Sequence, residues 1–75
     1  MPRFVRNGKR ITDKYTFHSE QDRDNAFFTV TSLFPSVSLT KVRRTEILFT
    51  RTGSIDYDIR VANRFLKLGA VKVGN

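Results

Sequence analysis

Apolar and polar positions along this chain switch repeatedly between a period of two and a period near 3.6. Residues 14–18, Lys-Tyr-Thr-Phe-His, alternate and predict a strand with Tyr15 and Phe17 inward. Ser19 then stands as an N-cap with Asp22 three residues on, an acidic variant of the capping box. A helix over 20–34 sets Ala26, Phe27, Val30, Leu33 and Phe34 on one face before Pro35 ends it. Phe28 falls off that stripe, and packing under neighbouring structure is its expected fate. Thr29, Val30 and Thr31 are poor helix formers, so the second half of this segment also admits a strand. Residues 36–42 alternate with Val37 and Leu39 inward, Arg43-Arg44 make a turn, and residues 46–50 form a strand with Ile47 and Phe49 inward.

The clearest local signals lie between Thr45 and Val73. Thr52-Gly53-Ser54 break the chain and offer Ser54 as an N-cap. Apolar residues then recur at Ile55, Ile59, Ala62 and Leu66, with Tyr57, Val61, Phe65 and Leu68 widening the stripe. Asp56 and Asp58 suit the positive end of a helix dipole, and Arg64 and Lys67 suit the negative end. Gly69 supplies the left-handed residue that closes such helices. Residues 55–61 also alternate with period two, but the helical period continues through Leu66 and the alternation does not, so a helix is expected. Residues 70–73 make a short final strand.

At the other end, Arg3-Phe-Val-Arg6 and Lys9-Arg-Ile11 flank Asn7-Gly8, the dipeptide best suited to a type I′ turn. The expected order is a hairpin followed by β-α-β-β-α-β. That is the split βαβ pattern of a ferredoxin-like two-layer α+β sandwich, an antiparallel sheet with two helices on one face. One domain is expected over residues 1–75, with residues 1–12 as a basic arm and 13–75 as the core.

Charge adds the main functional clue. The chain carries +7; the first helix contributes −2 and the second +1, so strands and loops carry +8. That excess comes from Arg3, Arg6, Lys9, Arg10, Lys14, Lys41, Arg43, Arg44, Arg51 and Lys72, offset by Asp13 and Glu46. A polyanionic or acidic partner is the expectation. The absence of cysteine fits a reducing compartment and removes thiolate metal sites. No apolar run reaches membrane-spanning length and the basic N-terminus lacks a signal-peptide core, so a cytoplasmic protein making no membrane contact is expected.

Catalytic constellations are missing from the sequence. His18 is the lone histidine, with no second histidine or cysteine to complete a familiar ligand set and no hydroxyl placed for it to activate. Neither an enzyme, a metal nor a cofactor is expected. Arg51-Thr-Gly-Ser54 runs into a helix start and is a candidate anion site, which Asp56 and Asp58 would oppose.

An open antiparallel sheet is also the platform on which RNA-recognition motifs stack bases, using a Gly- and aromatic-rich strand. The corresponding residues 44–51 lack the glycines and hold one aromatic, Phe49. The expected open face, Lys14, Thr16, His18, Ser38, Thr40, Leu48, Thr50 and Lys72, is nearly free of rings. The candidate contact residues are therefore a basic rim and arm, namely Arg3, Arg6, Lys9, Arg10, Lys14, Lys41, Arg43, Arg44 and Arg51, holding nucleic-acid phosphates with little sequence preference.

Residues 47–51, Ile-Leu-Phe-Thr-Arg, followed by a helix ending in Arg64-Phe-Leu-Lys-Leu-Gly69 and by Ala70-Val-Lys-Val73, resemble the C-terminal half of the small phycobilisome linker domains. The Val-Pro-Tyr segment that precedes the helix in that family has no counterpart here. The resemblance implies the alternative expectation, a small basic linker or adaptor that caps or inhibits an acidic protein complex in an antenna-type or viral assembly.

Overall fold

The computed structural model describes residues 11–73; the arm expected around Asn7-Gly8 lies outside them. The elements are β1 (Thr12–Thr16), α1 (Glu20–Leu33), β2 (Ser38–Val42), β3 (Glu46–Thr50), α2 (Ile55–Lys67) and β4 (Val71–Val73). The strands form one antiparallel sheet in the order β2-β3-β1-β4, and with the two helices they make an α+β fold.

Register decides which side chains meet. Tyr15 lies opposite Ile47 and Lys72, and Phe49 lies opposite Asp13 and Leu39, so these residues share the helix-covered face. Tyr15, Ile47 and Phe49 are at most 1% exposed and receive Ala26 and Val30 from α1 and Val61 and Phe65 from α2. Phe65 is the hub, its ring stacked 4.7 Å from that of Tyr15 and 6.2 Å and 6.4 Å from those of Phe17 and Phe49.

Both helices keep their expected span, including the disputed segment 55–61, but several side chains lie elsewhere than expected. The α2 residues that enter the core are Val61 and Phe65, whereas Ile55, Ile59 and Leu66 remain 73%, 52% and 53% exposed. Two apolar stripes run along this helix, and the one carrying the phenylalanine reaches the Tyr15 ring. Lys72, expected on the open face, points to the helix side because pairing with Tyr15 places it there; Val71 and Val73 take the open face instead. Phe28, expected to pack, is 72% exposed.

Arg23 occupies a buried position in the α1 stripe, one turn before Ala26. Its guanidinium donates to Asp24 at 2.6 Å and to the Arg43 carbonyl at 3.4 Å, with Glu20 at 3.8 Å. Such partners make burial of the charge tolerable.

The ends of α2 show how local chemistry sets its limits. Gly69, at φ 91°, takes the left-handed position. The N–H groups of Gly69 and Ala70 then donate to the Leu66 and Phe65 carbonyls at 3.1 Å and 3.0 Å, a Schellman closure. At the other end Ser54 is the N-cap by position, but its side chain makes no capping bond. Asp58 instead fixes the loop that enters the helix, accepting from the N–H groups of Thr52 at 3.0 Å and Gly53 at 3.2 Å.

Arg43, in the β2–β3 turn, holds φ 55° without being glycine, a strain of about 1–2 kcal/mol. Its side chain is 80% exposed and its 3.5 Å contact with Glu46 is a surface ion pair of little worth. Arg43→Gly should therefore stabilise the fold by about 1 kcal/mol, raising the melting temperature by about 4–8 °C in a calorimetric scan.

Candidate polyanion-binding surface

Cations matter to a ligand only where the protein has not already neutralised them. Among the described residues, most of the basic side chains on strands and loops have acidic partners. Lys14 and Arg43 share Glu46, at 3.9 Å and 3.5 Å. Lys41 lies 3.3 Å from Asp24 and 4.9 Å above the Phe27 ring. The neighbouring Arg23, whose guanidinium hydrogen-bonds Asp24, holds the Asp24 carboxyl below its ordinary range, with Lys41 adding to the effect.

Arg51 is the most firmly engaged. Its guanidinium grips Asp13 through two bonds, 2.7 Å and 3.1 Å, and Lys72 adds a contact at 3.5 Å. Asp13 is 9% exposed and lies on the helix-covered face beside Phe49. The hydrogen bonds from Arg51 pull its pKa down more than burial raises it, and the charges of Arg51 and Lys72 pull the same way. The anion site expected at residues 51–54 is thus occupied from within: Asp13 holds Arg51, and the Asp58 carboxylate fills the free N–H groups before α2.

This pair, buried on the Asp13 side only, makes stability depend on pH with a definite sign. Asp13 titrates lower folded than unfolded, where its pKa is about 3.9. Its contribution is therefore complete above that value and disappears as pH falls through the folded pKa. Asp13→Asn should cost about 2 kcal/mol at pH 7 in urea titration, as expected for lost hydrogen bonds to a charged group. The difference between wild type and variant should begin to shrink below about pH 4 and vanish once pH has fallen through the lower folded pKa, where both side chains are neutral.

Four basic residues have no acidic side chain within 4 Å among the described residues: Arg44, Arg60, Arg64 and Lys67. Three of them lie on α2 at i, i+4 and i+7, along about 10 Å of helix. They line, with Leu33, Phe34 and Asn63, a cleft of about 380 Å³ on the α1 side of α2. Thr16 pairs with both Glu46 and Val71, so the turn bearing Arg44 and the last turn of α2 sit at the same end of the sheet.

Comparison with protein-family models, with curated proteins and with solved structures finds no match to this chain. The site must therefore be read from its own chemistry. Among the described residues no group of three His, Cys, Asp or Glu side chains could hold a metal ion, and no helix is long and apolar enough to cross a membrane. Of the candidate contact residues, Arg3, Arg6, Lys9 and Arg10 lie outside the described residues, and Lys14, Lys41, Arg43 and Arg51 are paired within the protein. Arg44 alone of the described candidates has no acidic neighbour within 4 Å.

Arg60, Arg64 and Lys67 were not among the candidates, because adding Asp56 and Asp58 to them leaves α2 with a net charge of only +1. In space neither acid lies within 4 Å of the row. Asp58 is turned back onto Thr52 and Gly53, and Asp56 makes no ion pair with the row. The i, i+4, i+7 spacing was the available signal.

Proposed function

We propose that this protein is a non-enzymatic binder of polyanions, nucleic acid foremost, that holds phosphates with the Arg60–Arg64–Lys67 row of α2 and with Arg44. The observation that carries the reading is that, among the described residues, these cations have no carboxylate within 4 Å, while Lys14, Lys41, Arg43 and Arg51 each contact one. A row about 10 Å long faces several phosphates of a duplex, whose charges recur about every 1.7 Å of axis. Among the described residues the open sheet face, with Lys14, Thr16, Thr40, Leu48 and Thr50, offers no aromatic strand residue for base stacking, which supports backbone contact over base readout.

A ferredoxin-like arrangement belongs to the same reading. Taken from the β4 edge the strand order is β4-β1-β3-β2, with each βαβ connection passing over one intervening antiparallel strand. The adaptor reading, in which an acidic protein surface is the partner, draws support from Leu33, which is 51% exposed beside the cations. Fluorescence anisotropy of labelled duplex and single-stranded nucleic acid, over a range of salt, tests the first reading. Salt-sensitive binding supports it, and absence of binding at low salt contradicts it.

A further inference from the structure

The flank of α2 away from the cation row carries a different surface. Ile55, Ile59 and Leu66, the exposed apolar residues of the helix, follow one another at i, i+4 and i+11. Ile55 and Ile59 form one wall of a recess of about 210 Å³ whose other walls include Asp13, Arg51 and Lys72. This flank therefore overhangs β1 and β4. Among the described residues β4 is a three-residue edge strand paired only to β1. On its other face Val71 and Val73 are 60% and 39% exposed. Apolar side chains thus stand on both sides of an unpaired strand edge, a combination that folded proteins normally cover.

Charge distinguishes the possible occupants. Among the described residues Asp13 and Asp58 balance Arg51 and Lys72 along the recess, so its described lining carries no net charge although the chain carries +7. A neutral apolar flank gives an acidic partner nothing to recognise and gives a second basic copy nothing to repel. The ends of α2 are also self-complementary, with Asp56 in the first turn and Lys67 in the last.

We propose that a second copy of this chain docks on this flank through a two-fold axis, with the two α2 helices antiparallel. In that arrangement Ile55 of one copy meets Leu66 of the other, Ile59 packs near the axis, and Asp56 lies beside Lys67 of the second copy. Both β4 edges are covered. Such an interface is isologous, so each contact occurs twice. Its apolar centre lies on the flank opposite the Arg60–Arg64 pair, and it shares only Lys67 with the polyanion-binding row.

Sedimentation equilibrium of the full chain in moderate salt, from about 1 μM to about 1 mM to span weak association, tests it. The expected result is a mass rising from 8.7 kDa toward twice that value. Ile59→Glu, at an exposed helical position where folding can be verified by circular dichroism, should weaken association at least about tenfold by placing like charges near the axis. Asp56→Lys should weaken it too, and the exchange Asp56→Lys with Lys67→Asp should restore it. A wild-type mass that stays at 8.7 kDa across the range, or association unaffected by Ile59→Glu, overturns the proposal. Failure of the charge exchange to restore association overturns the antiparallel arrangement.

Discussion

Phe65→Ala should lower the melting temperature by about 20 °C, the largest effect of any single substitution in α2. The residue is fully buried, and its ring meets those of Tyr15, Phe17 and Phe49. Truncating a core phenylalanine costs about 3–5 kcal/mol. A chain of this length has about 4–11 kcal/mol of total stability, and each kcal/mol is worth about 4–8 °C. Ile59→Ala, one turn and a half away on the same helix, should cost less than about 1 kcal/mol, because that side chain already meets solvent. Thermal unfolding followed by circular dichroism compares the two. Equal losses would mean that α2 does not present Val61 and Phe65 to the sheet.

The second large effect concerns binding. Neutralising Arg60, Arg64 and Lys67 together as glutamines keeps helix propensity near that of the parent residues. Removing Arg64 and Lys67 from the last turn forfeits about 0.3–1 kcal/mol each of dipole interaction, which leaves the fold standing. Each phosphate contact contributes about 0.9 to the slope of log affinity against log salt on duplex DNA. Loss of three contacts should therefore flatten that slope by about 2.7. Between about 50 and 200 mM salt, wild type should lose about forty-fold more affinity than the variant. Neutralising Lys14, Lys41 and Arg51 instead should change the slope much less, since Glu46, Asp24 and Asp13 already hold them.

Element identity was legible in the sequence wherever the chain carries its own punctuation. Ser19 and its bond from the Asp22 N–H start α1, Gly69 closes α2, and alternation around Tyr15, Ile47 and Phe49 marks strands with an inward face. Rotation about an element's axis was less legible. Both stripes of α2 are apolar, and the burial of Val61 and Phe65 over Ile55 and Ile59 is decided by a ring on β1 and by the Asp13–Arg51–Lys72 cluster. Lys72 shows the same limit in a strand. Its neighbours Val71 and Val73 look like the inward pair, yet register against β1 turns them outward, and a one-residue shift reverses every side chain.

The candidate site was hidden for a related reason. Charge counted along the sequence treats a cation as free, whereas folding brings Asp13 to Arg51 across 38 residues and Asp24 to Lys41 on a different element. Conversely, Asp58 offsets the row on α2 in the count but forms no ion pair with it, because its carboxylate is turned back onto the Thr52 and Gly53 N–H groups. Arg23 combines both effects: a charge at a core position of α1, readable as surface by type and buried by its partners.

In the proposed function the cations of α2, and not the basic strands, carry the polyanion contact. Its most direct test is the salt dependence of duplex DNA affinity for wild type beside the Arg60→Gln/Arg64→Gln/Lys67→Gln variant. The expected slope is shallower by about 2.7 in the variant, with its fold intact by circular dichroism. An unchanged slope in the folded variant would contradict it.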